Sequence, residues 1–172
     1  MMRTGVDETR SPKNAHIERE RRWLVDPGRR PALSGLSVIL IEDRYITGTR
    51  LRLRQMTDAE SGATSLKITK KYDADDPLAR PIVTAYLDEG EYALLAGLPA
   101  NPVIKRRHKI AVAGHEFSLD VFEGSLTGLE LLEIESSSHE ALLAIQAPDW
   151  VVREVSHELH FQGGSLSGLD AL

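Results

Sequence analysis

Alternating apolar and polar positions dominate the chain after residue 16, and a period of two predicts β-strands. In "RYITGTRLRLRQM", Leu51 and Leu53 alternate with Arg50, Arg52 and Arg54. Similar segments are "HIERERRWLV", "TSLKITKKY", "IVTAYL", "VIKRRHKIAV", "HEFSLDVF" and "LELLEIES". Turn-forming clusters of Asp, Gly, Ser and Pro lie between several of them. The pattern predicts a mostly antiparallel β protein of the α+β class, with a few helices on its outside.

Two segments carry helix-start signals. Asp88 precedes Glu91 in "LDEGEYALLAGLP", and Ser137 precedes Glu140 in "SSSHEALLAIQAP", so each segment has the spacing of a capping box. A short helix around "PALSGL" is a further expectation, whereas "GGSLSG" at 163–168 is interpreted as a loop. The polar start lacks the apolar core of a signal peptide, so residues 1–15 are predicted to be a mobile tail before one domain at 16–172.

The charges on the polar faces are separated by sign. Arg50, Arg52 and Arg54 share one face of their strand, and Glu18 and Glu20 share a face of another. Further basic rows are Lys67 with Lys71 and Lys105 with Arg107 and Lys109, while Glu133 with Glu135 and the single Asp120 add acidic positions. A solvated face is the usual explanation of such a strand. Like charges side by side destabilise a sheet, however, so repeated same-sign rows indicate compensating partners.

An anion and a metal cation together would neutralise the basic and the acidic rows. Arg and Lys side chains bind multiply charged anions, and guanidinium groups bind phosphate in a bidentate way. Clustered carboxylates suit a hard divalent cation such as Mg²⁺ or Mn²⁺. A sheet closed into a barrel, with its charged faces inward and its apolar faces outward, would hold both in one lumen.

Composition narrows the function classes. The net charge of −5 argues against a general nucleic-acid binder, and the absence of cysteine excludes thiolate metal sites and cysteine nucleophiles. A reducing cytoplasm is therefore the expected location. No apolar run approaches the roughly 20 residues that span a bilayer, so no membrane partner is expected. Neither a G-x-x-x-x-G-K-[ST] loop nor a G-x-G-x-x-G turn is present to bind phosphate instead.

Ordered motifs resemble the CYTH superfamily, the triphosphate tunnel metalloenzymes. Residues 18–22, "ERERR", resemble the opening E-x-E-x-K signature, with Arg22 in the lysine position. "RLRLR" supplies the R-x-R pair, "LKITKK" a lysine strand, "IKRRHKI" the K-x-R strand, and "FSLDVFEGSLTGLELLEIE" the D-V-F segment and closing E-x-E. The resemblance covers residues 16 to about 168. It implies an eight-stranded antiparallel β-barrel with a polar lumen.

The resemblance also implies roles for individual side chains. The metal, Mg²⁺ or Mn²⁺, would be held by Glu18, Glu20, Glu133 and Glu135, with Asp120 as a further ligand or a water-orienting group. The catalytic set would be Glu18, Glu20, Arg22 and Asp120. The phosphate chain would be bound by Arg52, Arg54, Lys67, Lys71, Lys105 and Arg107. Which of Lys67 and Lys71 matches the family's key lysine stays open, because alternation places both on one face.

Three departures from the family pattern bear on activity. Arg22 replaces the signature lysine, and guanidinium and ammonium differ in shape and hydrogen bonding. A middle strand of form R-x-E-x-E is represented by Arg80-Pro81-Ile82-Val83-Thr84, which has neither acid. Near the C-terminus, His160 stands where the family has a basic tunnel group, so the positive charge at that position would depend on pH.

The sequence supports a metal-dependent triphosphatase, most simply acting on inorganic tripolyphosphate. An adenylyl cyclase of the same superfamily, or a thiamine or nucleoside triphosphatase, is the alternative enzyme. A non-catalytic polyphosphate or nucleotide sensor is the alternative from another class, although simple anion binding gains nothing from carboxylates. A small triphosphate is the expected partner, and a homodimer is left open.

Overall fold

The alternating segments form the strands of the computed structural model, which describes residues 12–168. In chain order the strands are β1 (His16–Val25), β2 (Val38–Ile46), β3 (Leu51–Asp58), β4 (Thr64–Lys71), β5 (Ala79–Tyr86), β6 (Ala100–Val112), β7 (His115–Phe122), β8 (Glu130–Glu135) and β9 (Val151–Glu154). The α-helices are α1 (Glu89–Ala96), α2 (His139–Ala144) and α3 (Gly163–Leu166). None of the helices in this region is long and apolar enough to cross a membrane.

Strands β1 to β8 close into an antiparallel barrel, which confirms the predicted fold. Their order is β5-β4-β3-β2-β6-β7-β8-β1, and the ring is completed where β1 pairs with β5, with Glu18 opposite Arg80. The first half of β1 pairs with β5, and its second half pairs on that side with β9. Only four residues long, β9 shows too little alternation to be recognised as a strand in the sequence.

An apolar core lies on the outside of the barrel wall, under α2, as alternation predicts. Trp23 of β1 packs edge-on to Phe117 of β7, with ring centroids 6.0 Å apart. Leu132 of β8 and Leu142 of α2 are fully buried in the same cluster. Burying such side chains contributes about 1.5–3 kcal/mol each, so this cluster fixes which face of each strand points inward.

A second apolar cluster fills one end of the lumen. Val103, Phe122 and Leu131 lie on the inward faces of β6, β7 and β8, and Leu166 of α3 packs against them. In sequence these residues are interleaved with charged positions on the same faces, so they do not stand out as a core. The lumen is therefore charged along most of its length and apolar where α3 covers it.

The helix predictions are confirmed in part. The capping box at α1 is present, with the Asp88 side chain accepting from the Glu91 amide and Glu91 accepting from the Asp88 amide. At α2 the cap is Ser138 rather than Ser137, because it is the Ser138 hydroxyl that accepts from the amide three residues ahead.

Two other local predictions are wrong, and a third falls mostly outside the described residues. The expected helix around "PALSGL" is wrong: Gly35 at φ +81° makes a turn there. The loop expected at 163–168 is wrong as well, because α3 forms within it. Of the predicted mobile tail, residues 1–11 lie outside the described part of the chain, and residues 12–15 form a turn before β1.

Candidate active site

A cavity of about 410 Å³ lies in the lumen and collects most of the predicted residues. It is lined by side chains from β1, β3, β4, β6 and β8, because alternate residues of each strand point inward. The predicted residues that line it are Glu18, Glu20, Arg22, Arg52, Arg54, Lys71, Lys105, Arg107, Glu133 and Glu135. Asp120 is fully buried in the wall behind it, and Lys67 lies outside the lining on the same face of β4 as Lys71.

Three carboxylates converge at one side of the cavity. Glu20 of β1 pairs in register with Glu135 of β8, and Glu18 shares the inward face of β1. One oxygen from each of the three lies within 4.8 Å of the others, and we call this set the carboxylate cluster. Burial and repulsion from Glu18 and Glu20 raise the pKa of Glu135. This set of hard oxygen donors fits Mg²⁺ or Mn²⁺.

Arg22 joins the carboxylate cluster to two other parts of the site. Its Nη2 donates to Glu20 Oε1 at 3.0 Å, its Nε lies 3.0 Å from Glu133 Oε1, and its Nη1 donates to the Phe161 carbonyl at 2.6 Å. Burial by itself lowers the pKa of Arg22, but Glu133 and Glu20 outweigh it, so the pKa is raised. The guanidinium therefore stays charged, donates two hydrogen bonds and forms an ion pair with Glu133, using the planar fork of donors that an ammonium lacks.

Glu133 and Asp120 lie outside the carboxylate cluster and are occupied by basic side chains. Arg107 donates to both Asp120 oxygens at 2.6 and 2.7 Å and to Glu133 at 2.6 Å, and Lys105 contacts Asp120. Asp120 and Glu133 raise the pKa of Arg107 despite its burial, and Arg22, Lys105 and Arg107 lower the pKa of Glu133 despite its burial, so both groups stay charged. A metal role for these two acids stays a prediction, whereas the geometry makes them anchors for the basic side chains.

Asp43 is a central side chain that the sequence reasoning missed. Arg54 donates to both of its oxygens at 2.6 Å, and Arg52 Nε lies 3.7 Å from it. Burial raises its pKa, but the two arginines more than reverse this and lower it to about 2. Asp43 shares its inward face with Ile41 and Tyr45, so that face of β2 looks apolar in sequence. The signal that could have found it is the pairing of Asp43 with the arginine-rich β3.

The two candidate lysines of β4 have different surroundings. Lys71 Nζ donates to Glu20 Oε1 at 3.0 Å and also forms an ion pair with Glu18. Lys67 pairs in register with Arg54, and within residues 12–168 no carboxylate forms an ion pair with it. Burial, with Arg54 and Arg52 nearby, lowers the pKa of Lys67. Both lysines thus belong to the charge system of the barrel, one at the carboxylates and one at the arginines.

Solved structures with this architecture include two crystal structures of NE1496. One, named as the hypothetical protein NE1496, is 25% identical, covers 89% of this chain and 99% of its own, and gives a TM-score of 0.61. The other, named as the inorganic triphosphatase NE1496, is 23% identical, covers 87% of this chain and 93% of its own, and gives a TM-score of 0.58. The chain has the fold of the CYTH domain. No family model and no curated protein matches this chain.

A third similar structure has the same fold. It is a candidate adenylate cyclase from Bacillus halodurans, 12% identical over 84% of this chain and 98% of its own, with a TM-score of 0.53. At that identity the likeness concerns the fold alone.

The CYTH tunnel of this chain is completed by a C-terminal segment, residues 159–166. Arg80 of β5 donates from Nη1 to Gln162 Oε1 at 2.5 Å and from Nε to the Tyr72 carbonyl at 3.0 Å. At the next residue, a Cβ on Gly163 would overlap the Tyr45 hydroxyl oxygen and lie 3.0 Å from its Cζ. The sequence reasoning missed Gln162 and Gly163, since neither carries a charge.

The expectation that His160 enters the CYTH tunnel is wrong. It lies on a 3-10 turn, its side chain is 63% exposed, and its Nε2 is 3.3 Å from Glu158. The turn directs the neighbouring Phe161 carbonyl toward Arg22 instead. On β5, Ile82 and Thr84 follow Arg80 on the inward face, so that strand supplies no acid, as the sequence predicts.

Proposed function

We propose that this protein is a divalent-metal-dependent phosphohydrolase of linear triphosphates, with inorganic tripolyphosphate as its simplest substrate. The observation that carries the proposal is a single cavity in which the carboxylate cluster faces rows of arginine and lysine. Simple anion binding has no use for three converging carboxylates. A metal with a polyphosphate would neutralise both sets of charges. The inorganic triphosphatase with the same fold supports the assignment.

The side chains divide into three roles in this proposal. Glu18, Glu20 and Glu135 would hold Mg²⁺ or Mn²⁺, which supplies charge neutralisation at the phosphate oxygens. Arg52, which lines the cavity and whose Nε has no hydrogen-bond acceptor among residues 12–168, is the cation best placed to bind phosphate, and Lys67, outside the lining, adds positive charge beside it. Asp43, Asp120 and Glu133 hold Arg54, Lys105, Arg107 and Arg22 in place. Phosphoryl transfer depends mainly on such positioning and charge stabilisation.

The aromatic side chains of the cavity favour a substrate without a base. Tyr45 and Phe122 are the aromatic residues in the described lining. The Tyr45 hydroxyl lies against Gly163, and Phe122 is buried with Lys105 Nζ 5.3 Å from its ring centroid. Phe122 is thus covered by protein, and Tyr45 is the single aromatic side chain of the described lining left to stack on a purine or thiamine ring. This supports inorganic triphosphate over ATP or thiamine triphosphate.

A non-catalytic polyphosphate sensor is the second candidate. Ile82 and Thr84 favour it, because they stand where family members carry acids and so reduce the number of carboxylates available to a metal. The carboxylate cluster argues against it. A cytoplasmic location and a homodimer stay expectations from the sequence.

The test is phosphate release from tripolyphosphate, ATP and thiamine triphosphate, each with Mg²⁺ and with Mn²⁺. Tripolyphosphate should be hydrolysed fastest, and Glu20→Gln should reduce its rate on the order of 100-fold, because the substitution removes a charged metal ligand without changing side-chain size. Glu116→Gln is the matched control, since Glu116 is exposed at the start of β7, pairs with Lys109 and lies outside the residues that line the cavity.

Each alternative gives a different result in the same assay. Cyclic AMP formed from ATP would establish the cyclase. A rise in melting temperature with tripolyphosphate and no turnover with either metal would establish the sensor and overturn the hydrolase.

A further inference from the structure

Lys71 places an ammonium group on the carboxylate cluster. It is the last residue of β4, and its Nζ forms ion pairs with Glu18 Oε2 and with Glu20 Oε1, the latter at 3.0 Å. Both lysine partners are members of the cluster, together with Glu135. The side chain is 26% exposed, so the pair is partly shielded from water.

The cluster needs a cation even before any ligand arrives. Three carboxylates within 4.8 Å repel one another, and at an effective dielectric constant near 20 two unit charges 4 Å apart interact by about 4 kcal/mol. Lys71 offsets this repulsion at two of the three members. A divalent metal requires the same oxygens, and an ammonium and a metal ion repel each other. Binding of the metal therefore requires Lys71 to leave.

Lys71 can leave more easily than the other cation at the cluster. Arg22 is held by Glu20, Glu133 and the Phe161 carbonyl, so its guanidinium is fixed from three directions. Among the described residues, the ion-pair partners of Lys71 are the two carboxylates, and its ammonium sits on a flexible four-carbon stem. On the same face of β4 lie Thr69 and Lys67, which pair in register with the arginine strand β3.

We propose that Lys71 is the internal counter-ion of the carboxylate cluster and that metal binding releases it toward the basic side of the cavity, where the triphosphate binds. The metal-free protein then carries a neutralised cluster, and the released ammonium adds to the phosphate site only once the metal is present. Metal affinity is thereby set by competition with Lys71. The inference rests on the metal-binding part of the proposed function.

The experiment is calorimetric titration of Mn²⁺ into metal-free protein, with no phosphate compound present. Lys71→Met should bind Mn²⁺ about tenfold more tightly than the wild type, because the competing cation is removed. Lys67→Met is the matched control on the same strand face. Its charged neighbours are Arg54, Arg52, Asp43 and Arg107, none of them in the cluster, so its Mn²⁺ affinity should stay within about twofold.

Melting temperatures give a second readout on the same proteins. Mn²⁺ should raise the melting temperature of Lys71→Met more than that of the wild type, since tighter binding to the folded state stabilises it further. Lys71→Arg keeps a cation on the cluster and should bind Mn²⁺ no more tightly than the wild type. This variant still tests the inference if Lys71→Met does not fold.

Three outcomes would overturn the inference. They are equal or weaker Mn²⁺ binding by Lys71→Met, an equal gain in Lys67→Met, and no Mn²⁺ binding by any of the proteins. Since the titration contains no triphosphate, its result is separate from hydrolysis. Tighter Mn²⁺ binding without tripolyphosphate hydrolysis would support the role of Lys71 and remove the triphosphatase assignment.

Discussion

At the residue scale, the site is organised by acids that hold basic side chains in place. Asp43 fixes Arg54 through two hydrogen bonds of 2.6 Å, and Asp120 fixes Arg107 in the same bidentate way. A buried pair of this kind costs several kcal/mol when one partner is lost, because the other is left charged and unpaired. The acids thus keep a dense group of cations compatible with folding before substrate arrives.

Asp43 predicts a distinct acid sensitivity. Its pKa is about 2 in the folded protein against an ordinary value of 3.8, so its pair with Arg54 stabilises the fold above pH 3.8 and this contribution is lost as the pH falls toward 2. By urea unfolding, the wild type should lose about 2 kcal/mol more between pH 4 and pH 2 than Asp43→Asn does.

The exposed loop variant Asp75→Asn serves as the control for Asp43 and should follow the wild-type pH profile. Equal pH profiles for Asp43→Asn and the wild type would show that the Asp43–Arg54 pair contributes no pH-dependent stability.

At the element scale, the C-terminal segment covers the apolar end of the lumen and contacts two tunnel arginines. Phe161 accepts from Arg22, Gln162 accepts from Arg80, and Leu166 packs in the inner apolar cluster. The segment can approach this closely because Gly163 has no side chain at the Tyr45 hydroxyl. Displacing it would remove one hydrogen bond from each of the two arginines.

A pair of adjacent glycines tests this contact. Gly163→Ala should lower the melting temperature and weaken tripolyphosphate binding, because the new Cβ overlaps Tyr45 and pushes the segment away from Arg22 and Arg80. Gly164→Ala should be neutral or slightly stabilising, since a Cβ there meets nothing within 4 Å and alanine favours a helix by about 0.5–1 kcal/mol. Calorimetry and ligand titration measure both.

If Gly163→Ala and Gly164→Ala had the same melting temperature and the same affinity for tripolyphosphate, the close contact at Gly163 would not matter for either property. Adding Tyr45→Phe to Gly163→Ala should restore part of the lost stability, because the hydroxyl oxygen that the Cβ overlaps is then absent.

The strands and their inward faces were predictable from sequence, whereas the C-terminal segment was not. Same-sign alternation identified Arg52, Arg54 and Lys71 because each lies in a charged row, and the row faces the lumen. Asp43 was not predicted as a site residue because its strand face is otherwise apolar. Gln162 was not predicted because an amide carries no charge. The prediction that His160 belongs to the tunnel was wrong because the residue type does not reveal the 3-10 turn that points its side chain outward.

At the scale of the whole molecule, closure of the barrel turns separate strand faces into one charge-balanced chamber. Glu18 and Arg80 come from strands distant in sequence and meet only because β1 pairs with β5. Outward burial of Trp23, Phe117 and Leu132 fixes which side of the wall is charged. The apolar cluster under α3 lines one end of the same cavity, so the charged part of the lumen borders an apolar part.

The most direct test of the account is a crystal structure of the protein with Mn²⁺ and a non-hydrolysable imidotriphosphate, with the metal located by its anomalous signal. We expect a manganese ion bound by Glu18, Glu20 and Glu135, the triphosphate analogue between that ion and Arg52, and Lys71 no longer on the carboxylates. Manganese bound away from these three glutamates, or the analogue bound outside the barrel, would contradict it.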